Sequence, residues 1–421
     1  MTPPRRRTSL FVTQHYWPEA LGSAPYCSDI AGTLAAHGVA TTVFTCRPHY
    51  PEGVVPPDYV DGSHDRERLS GVRVERVAPW LPRRRDAFGR IFAEMVFLLK
   101  GLAALATRRI RRTDLVISLC PSILTVLLGV FATRRQGRHI AVVHDIQSGL
   151  ASGLGMVGAG PLVKLMSWTE RVVLNRTTVV LVLSENMRRR LQAQGVTAPI
   201  EILPIWVDTT VIEPREKAES DVVNVLYSGN FGKKQALPQI VDMAALLEKR
   251  GRNVRVTLRG AGSEAARLAE DVASRGLGNV RFAPLVPEEA LVEGLAEGDI
   301  HLVPQSGDAA DFAVPSKVYT IMAAGRPFVA SARPGSMLWQ LMDDSRALLC
   351  VPAGDANALA DAVERLAEDS ELRSELGRNG RNYAMTRHDK AVVLQRFMTI
   401  TEGGTSERIG RGERAATPSH L

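Results

Sequence analysis

The feature that most constrains the fold is a regular alternation of short apolar runs with amphipathic helical patterns. In the first half of the chain we predict strands at 9–13, 40–45, 72–77, 115–119, 140–143, 179–183 and 201–203. These runs are almost continuously apolar, which is typical of strands buried on both faces of a parallel sheet. Helical patterns between them, including 28–37, 162–175 and 185–194, would cover those faces.

The alternation restarts after residue 210. Strands are predicted at 223–228, 254–259, 280–284, 300–303, 328–330 and 348–351, and helices at 237–250, 263–275, 287–296, 316–324, 356–369 and 371–384. The polar, proline-containing segment 208–221 has the character of a linker. We therefore predict an α/β protein with two tandem Rossmann-like, doubly wound parallel-sheet domains and a cleft between them. Their ranges are 1–207 and 208–384, and a disordered tail is expected at 403–421.

Positive charge is concentrated in the first domain. The first 205 residues hold 26 of the 52 Lys and Arg residues and 15 of the 45 Asp and Glu residues, so they carry +11 and the remainder carries −4. This asymmetry indicates an anionic partner for the first domain: a membrane face, a phosphorylated substrate or a nucleic acid. Nucleic acid is the least favoured, because no binding module is recognisable and only 5% of the residues are aromatic.

No window of 20 residues is free of charged side chains, so no membrane-spanning helix is predicted. The N-terminal arginines are followed by only a short apolar stretch without a small-residue cleavage site, so no signal peptide is predicted. The segment 88–106 is the best candidate for membrane contact. It is apolar but interrupted by three charged residues, and it is flanked by arginines: Arg83, Arg84, Arg85, Arg108, Arg109, Arg111 and Arg112. Two interpretations stay open. The segment is either a helix at the membrane interface with arginines on lipid phosphates, or a packing helix with a solvated basic flank.

The loops that follow the strands are the places to look for function, because ligands bind beyond the carboxyl ends of parallel strands. The loop 14–26 contains Gly22 and Ser23 before a helix, where small residues let the backbone approach an anion. His144 directly follows the strand 140–143 and is either a structural or a catalytic histidine. The loop 14–26 contains no GxGxxG, and the chain contains no GxxxxGK[ST], which argues against nicotinamide enzymes and P-loop ATPases.

Three loops of the second domain favour a phosphate ligand. Their small and cationic residues are Gly229, Asn230, Gly232, Lys233 and Lys234 in the first loop, Arg259 and Gly260 in the second, and Pro315, Ser316 and Lys317 in the third. Ser316 before a helix suggests ordinary capping. Lys317 in the first helical turn is electrostatically unfavourable unless an anion binds there. The pattern predicts a nucleotide diphosphate in the cleft.

No metal site or cofactor is predicted. The four cysteines show no metal-type spacing and are interpreted as small buried side chains, consistent with a reducing compartment. Asp308 and Asp311 stand isolated in a loop, where solvation is the simpler explanation.

The sequence resembles family 4 glycosyltransferases of the GT-B fold, in the exopolysaccharide and O-antigen branch of the colanic-acid type. The resemblance runs from about Leu10 to Phe397. The motifs that carry it include HYWPEALGSAPY, VVHDIQSGLASGLGM, LPIWVDTTVI, LYSGNFGKKQAL, LRGAGSE, NVRFAPLVPEEAL, PSKVYTIMAAGRPFVAS and VPAGDANALADAV. It is the order and spacing of these motifs together that make the resemblance specific.

This resemblance implies transfer of a sugar from a UDP- or GDP-sugar with retention of anomeric configuration and without a metal. The second domain would bind the nucleotide sugar and the first a lipid-linked or glycan acceptor. The final helix, at about 385–400, would pack back onto the first domain. The protein would then work in the cytoplasm, at the inner face of the plasma membrane.

The resemblance also implies roles for individual residues. His144 and Lys317 would be the catalytic pair. Residues implied in donor binding are Gly22, Ser23, Gly229, Asn230, Lys233, Lys234, Arg259, Gly260, Val286, Pro287, Pro315, Ser316 and Thr320. Many family members carry two glutamates at the positions of Phe312 and Thr320, and an arginine at Asn230. These departures leave two alternatives open: a non-hydrolysing nucleotide-sugar epimerase, or a non-catalytic partner of a polysaccharide assembly.

Overall fold

The chain folds around two sheets, one in each half, in a computed structural model. The structure describes residues 7–20, 22–50, 53–82, 87–120, 122–146, 160–216, 220–307 and 315–404. One unit comprises the chain up to Pro204 together with the residues from Leu394 onward, and the second comprises Ile205–Val393. The predicted tail at 403–421 lies outside the described residues apart from its first two positions.

The first unit contains an eight-stranded sheet with the order β3-β4-β2-β1-β5-β6-β7-β8. Its strands are β1 (Thr8–Val12), β2 (Ala40–Cys46), β3 (Arg66–Leu69), β4 (Val72–Val77), β5 (Thr113–Cys120), β6 (Thr133–Val143), β7 (Val179–Val182) and β8 (Ile200–Ile202). All neighbours are parallel except β3 and β4, which form an antiparallel pair at the edge. The helices are α1 (Ala24–Ala36), α2 (Pro57–Val60), α3 (Ala87–Ala106), α4 (Ile123–Ala132), α5 (Gly160–Leu174) and α6 (Glu185–Ala193).

The second unit contains a six-stranded parallel sheet with the order β11-β10-β9-β12-β13-β14. Its strands are β9 (Val223–Ser228), β10 (Val254–Arg259), β11 (Val280–Ala283), β12 (Ile300–Pro304), β13 (Phe328–Ala332) and β14 (Leu348–Pro352). Its helices are α7 (Pro238–Lys249), α8 (Ala265–Ser274), α9 (Leu291–Ala296), α10 (Lys317–Ala323), α11 (Met337–Ser345), α12 (Ala356–Glu368) and α13 (Ser370–Tyr383), with a π-helical turn at Ala384–His388. The last helix, α14 (Lys390–Thr401), supplies residues to both units.

Burial of the strands explains why these sequences form sheets. Strand β1 has four consecutive buried residues and β7 is buried throughout, as expected for strands covered on both faces. In the second unit, Tyr227, Val256 and Ile240 belong to one buried apolar cluster that joins the sheet to its helices. Polar caps start several helices: the Asp355 carboxylate accepts the Ala358 N–H and the Asp369 carboxylate accepts the Leu372 N–H.

The predicted fold class is confirmed, and four elements were missing from the prediction. Strand β3 has alternating half-buried and exposed residues and a charged sequence, so it lacks an apolar signal. Strand β6 begins seven residues before its predicted start, in a charged stretch. Helices α2, α4 and α11 were not predicted; together with β3 they are the four missing elements, whereas β6 was predicted and only its start was missed. All four cysteines are buried and free, as expected. None of the described helices combines the length and apolarity that crossing a bilayer requires.

Candidate functional site

The loops after β9 and β10 are joined by backbone hydrogen bonds beyond the ends of their strands. Gly229 N–H donates to Arg259 O (3.0 Å), Phe231 N–H donates to Ala261 O (2.8 Å), and Glu264 N–H donates to Phe231 O (2.9 Å). These bonds continue the parallel register of β9 and β10 into the loops. The two small-residue loops predicted as phosphate binders therefore form one continuous backbone surface.

Gly260 allows this close approach. Its φ is +153°, and a Cβ built there would overlap the carbonyl oxygen of Gly229 and the ring of Phe231. Gly262 is similarly confined, since a Cβ would lie 2.6 Å from Asn230 Oδ1. Any side chain at Gly260 would push the two loops apart, so glycine is required here by space as well as by backbone conformation.

Lys317 lies at the same edge of the sheet. Its Nζ is 4.1 Å from the centroid of the Tyr227 ring, and a Cβ on Gly229 would be 3.8 Å from it. Tyr227 is fully buried, and its hydroxyl donates to Asn230 O at 2.7 Å. The structure thus brings Lys317, Gly229 and Asn230 together, as the sequence predicted for a phosphate site.

Burial lowers the pKa of Lys317 to about 7. Among the described residues no ion pair to a carboxylate offsets that cost. A lysine with a depressed pKa and no acidic partner is suited to receive an anion, since a bound anion favours the charged form. The nearby Tyr227 face is a weaker attraction that leaves the charge unneutralised.

The residues before and within α10 have distinct environments. Ser316 has helical backbone angles and its side chain makes no capping hydrogen bond, so the ordinary capping interpretation is wrong. It is exposed, whereas Pro315 and Thr320 are half-buried. Residues 308–314, which include Asp308, Asp311 and Phe312, lie outside the described residues.

The other residues predicted to bind the donor are more scattered. Lys233 is exposed in a 3₁₀ turn at Lys233–Gln235; of Lys234, only the backbone is described. Val286 packs against Gly294, where a Cβ would lie 2.8 Å from it, and Pro287 is exposed. Arg259 departs from the expectation of a phosphate ligand. Its buried guanidinium donates to Gly294 O (2.7 Å) and pairs with Glu297 (2.5 Å), so it ties β10 to α9.

In the first unit, His144 contacts Tyr26 of α1, the helix that Ser23 precedes. The rings of Tyr26, in the first turn of α1, and His144 meet edge to face at 5.6 Å between centroids. Ser23 immediately precedes α1, and Gly22 has a φ of +68°. Burial lowers the pKa of His144 to about 4, so the imidazole is neutral at physiological pH. A neutral imidazole can position a hydroxyl by hydrogen bonding but carries no charge to stabilise a phosphate.

The sequence did not reveal a second cluster, which lies in the loops that follow β1 and β2 of the first unit. His15 Nδ1 is 2.7 Å from Glu19 Oε2, and the other carboxylate oxygen accepts the backbone N–H groups of His49 (2.8 Å) and Tyr50 (2.9 Å). Burial raises the pKa of Glu19, but the hydrogen bonds from these partners lower it further, so it is below its usual value. Burial lowers the pKa of His49. The HxxxE spacing was a local signal for the first pair, but only the fold adds His49.

The basic flanks of α3 also differ from expectation. Arg83, Arg84 and Arg85 lie outside the described residues, and Arg108 is exposed. Arg109 is not a free surface cation. Its Nε donates to the fully buried Glu75 at 2.7 Å, and Arg66 and Arg73 pair with the same carboxylate. These arginines pair with Glu75 because a buried carboxylate requires compensating positive charge.

One face of helix α3 is apolar and is exposed within the first unit. The face consists of Ile91, Phe92, Met95 and Leu99, and Phe92 is 52% and Leu99 58% exposed. Trp80 extends it, with its ring 4.5 Å from that of Phe92. The same helix buries Phe97 and Leu98 in the core of the first unit. It therefore packs against its unit and also presents an apolar surface.

Two families match the chain, and together they span both units. Residues 22–206 match the family described as "Glycosyl transferase 4-like domain", and residues 208–383 match "Glycosyl transferases group 1". The chain belongs to the glycosyltransferases. The family predicted from the sequence motifs is confirmed.

One relative is WcaI of Escherichia coli (strain K12), named as a colanic acid biosynthesis glycosyl transferase. It is 27% identical over 406 residues, which cover 92% of this chain and 98% of WcaI. Among solved structures, sucrose-phosphate synthase from Thermosynechococcus elongatus has a TM-score of 0.73 at 19% identity, covering 98% of this chain and 100% of that one. HepE of Anabaena, solved with UDP and glucose, has a TM-score of 0.67 at 15% identity, with coverages of 94% and 99%. These likenesses show the GT-B fold.

The family assignment places the two groups of residues in different domains of this glycosyltransferase. Lys317, Gly229 and Gly260 belong to the group 1 domain, and His144, Gly22 and His49 lie within the 4-like match, which His15 and Glu19 immediately precede. The group 1 domain presents a lysine beside glycine-containing loops. In the first unit, His144 has a neutral imidazole and Glu19 has a hydrogen-bonded carboxylate.

Proposed function

We propose that this glycosyltransferase moves a sugar from a nucleoside diphosphate sugar to a lipid-linked or glycan acceptor, with retention of anomeric configuration. The observation that carries the proposal is Lys317 held beside Gly229 and the Tyr227 ring, with a pKa lowered to about 7 by burial. The name of WcaI supports a role in cell-surface polysaccharide biosynthesis. The UDP and glucose bound to HepE support a uridine nucleotide as the first donor to test.

The diphosphate of the donor would bind at the carboxyl edge of β9, β10 and β12. Gly229 and Gly260 lack side chains, so a phosphate can approach the backbone of these loops closely. The N–H groups of both glycines already donate to Arg259 O and Ala283 O, so the positive charge for the phosphate would come from side chains. Lys317 supplies the positive charge, and the exposed hydroxyl of Ser316 can donate a further hydrogen bond. Lys233, which is exposed in the 3₁₀ turn of the loop after β9, would add a second cation. This arrangement needs no metal ion at the diphosphate.

Lys317 would act mainly in the transition state. As the bond between the sugar C1 and the phosphate oxygen breaks, negative charge accumulates on that oxygen and the ammonium group stabilises it. The acceptor hydroxyl oxygen forms the new bond to C1, and its proton passes to the departing phosphate. No carboxylate base is needed for this balance. His144, neutral at physiological pH, would hold a hydroxyl of the sugar or the acceptor.

The acceptor would be presented at an anionic membrane surface, at the cytoplasmic face of the inner membrane. The apolar face of α3 supports this, because Trp80, Phe92 and Leu99 are exposed together on one helix and its neighbouring loop. The net charge of +11 on residues 1–205 would favour anionic lipid. Interfacial helices combine such an apolar face with basic flanks.

Calorimetric titration with UDP, GDP and their sugar conjugates tests the donor assignment directly. We expect the wild-type chain to bind one nucleotide class and Lys317→Ala to bind it at least about ten-fold more weakly. Lys249→Ala is the matched control, because Lys249 is an exposed lysine of the same domain at the end of α7. Equal affinity in wild type and Lys317→Ala would contradict the role of this lysine.

A non-catalytic role is the second candidate, and Thr320 is the observation that favours it. Many family members carry a glutamate at this position, and threonine cannot supply its charge. A chain that binds no nucleoside diphosphate in the titration, yet is folded, would support this alternative. Formation of an epimerised nucleotide sugar in the absence of any acceptor would instead indicate an epimerase.

A further inference from the structure

We infer that His15, Glu19 and His49 form a binding site for a divalent transition-metal ion of the zinc class. His15 Nδ1 is 2.7 Å from one oxygen of Glu19, and His49 Nδ1 is 3.7 Å from the other. One ligand atom from each of the three residues lies within 4.8 Å of the other two. His15 and Glu19 belong to the loop after β1, and His49 follows β2, so an ion here would join two neighbouring loops.

The donor set identifies the class of metal. Two imidazoles and one carboxylate are the ligands that zinc uses where a coordination position stays open for water or substrate. Calcium and magnesium prefer sites made entirely of oxygen ligands. The cluster contains no cysteine among the described residues, so soft, thiolate-selective ions are not favoured. Zinc is therefore the ion to test first.

The site is held in place by its surroundings. The side chain of Glu19 is 2% exposed, and its Oε1 accepts the backbone N–H groups of His49 and Tyr50. The imidazoles are more open, at 23% for His15 and 19% for His49. The carboxylate is thus fixed, while the two rings face the route by which an ion would enter. This is the arrangement expected of a site whose ligands are oriented by the surrounding backbone.

Only a small closure would complete the coordination. Zinc-to-nitrogen bonds of about 2.0–2.1 Å place tetrahedral ligand atoms about 3.3 Å apart. The His15–Glu19 and Glu19–His49 separations, at 2.7 and 3.7 Å, bracket that distance. The rings of His15 and His49 are already close, with 5.2 Å between centroids and 31° between planes. His49 Nδ1 also lies 2.9 Å from the backbone oxygen of Arg47, so this ring must rotate away from that carbonyl to bind an ion, whereas His15 Nδ1 already contacts the carboxylate.

An ion at this site would stiffen the loop that carries Gly22. The ring of Tyr50 is 5.4 Å from that of His15, and a Cβ on Gly22 would be 3.5 Å from Tyr50. The three ligands belong to the first unit, whereas Lys317 and the loops proposed to bind the diphosphate belong to the second. Metal binding can therefore be measured without donor or acceptor, and it can fail while the proposed transferase reaction holds.

Zinc binding is measured on the tag-free full chain after chelator treatment, by calorimetry with zinc chloride and by the visible absorption of the cobalt-substituted protein. We expect one ion per chain and an increase in the unfolding temperature. His15→Gln and His49→Gln should each weaken binding by at least about ten-fold. His64→Gln is the matched control, because His64 lies 3.4 Å from Glu67 without a second histidine.

Absence of stoichiometric uptake, or unchanged affinity in His15→Gln and His49→Gln, would overturn the inference and leave a hydrogen-bonded cluster only. The histidine variants decide the question because Glu19→Gln also removes an acceptor of two backbone N–H groups. Circular dichroism of each variant shows whether it is folded before its affinity is compared.

Discussion

The ammonium nitrogen of Lys317 lies 4.1 Å from the centre of the Tyr227 ring. An aromatic face attracts a cation without neutralising it, in contrast to a carboxylate. Tyr227 itself is fixed, because it is fully buried and its hydroxyl is bonded to Asn230 O. The pair therefore holds a positive charge at a defined place and leaves it available to an anion.

Lys317→Ala should lower kcat/KM by about 2–4 kcal/mol of transition-state stabilisation, or roughly 30- to 900-fold. The reason is the loss of the cation that faces the departing diphosphate. Steady-state kinetics on the identified donor and acceptor measure the effect, with Lys249→Ala as the control. Wild-type kinetics in Lys317→Ala would show that this charge has no part in the reaction.

Affinity for a nucleoside diphosphate sugar should depend on pH through Lys317. Its pKa in the free protein is about 7, so above pH 7 the free protein loses the proton that the bound anion requires. The affinity is then expected to fall about ten-fold per pH unit, until the pKa of the complex is reached. Calorimetry between pH 6 and 8.5 measures it. Lys317→Met should give weaker, pH-independent affinity, and the same slope in that variant would assign the titration to another group.

Lys317→Met should also stabilise the unliganded protein. The pKa of Lys317 is about 7 in the folded protein and 10.5 for an ordinary lysine, so the unfolded chain binds more protons between these values and wild-type stability rises with pH there. The advantage of the variant should be largest below pH 7, at about 1–3 kcal/mol, and should shrink toward pH 10.5. Denaturant unfolding at several pH values measures it. A destabilised variant at pH 6.5 would show that the charge is not a cost in the folded state.

Gly260→Ala should separate the loops after β9 and β10 and abolish donor binding. An added Cβ overlaps the Gly229 carbonyl oxygen, and backbone atoms cannot yield as a flexible side chain would. Gly276→Ala is the control, since Gly276 also has a positive φ but open space around it. Thermal unfolding and nucleotide titration compare the two. Equal behaviour of both variants would mean that backbone conformation alone accounts for the requirement.

Replacing Phe92 and Leu99 by serine should weaken binding to anionic lipid vesicles by at least about ten-fold, because two large exposed apolar groups leave the proposed interface. Vesicle co-sedimentation measures this. Val54→Ser removes a 66% exposed apolar side chain elsewhere in the same unit and serves as the control. Unchanged sedimentation in the double variant would exclude the α3 face as the contact.

The sequence predicted most strands of both sheets to within two residues, because buried parallel strands are continuous apolar runs. It missed β3, whose charged residues find their partners only across the antiparallel pair, as Arg66 does with Glu75. It also missed the start of β6, where the sequence TRRQG has no apolar pattern. Strand β3 and the start of β6 form because they pair with other strands, and local composition does not predict that pairing.

The candidate site was predictable in part for the same reason. The loops predicted to bind phosphate each follow a predicted strand. Because those strands are parallel, the loops were expected to meet at one edge of the sheet. In the sequence Tyr227 resembles an ordinary core residue of β9, and no sequence feature predicted its contact with Lys317. Arg259 reads as a cation at a strand end, but its partner Glu297 lies 38 residues later. Contacts between distant residues needed the fold.

The three arginines that converge on buried Glu75 change what the basic half of the chain offers to its surroundings. Arg66, Arg73 and Arg109 count fully in the formal charge of the first half, yet all share one carboxylate. Glu75 cancels one of these three charges, while Arg66 and Arg73 remain 68% and 49% exposed. The field that reaches a lipid headgroup or an anionic acceptor is therefore smaller than a tally of lysines and arginines alone suggests. Ionic strength should then weaken such encounters less steeply than that tally predicts.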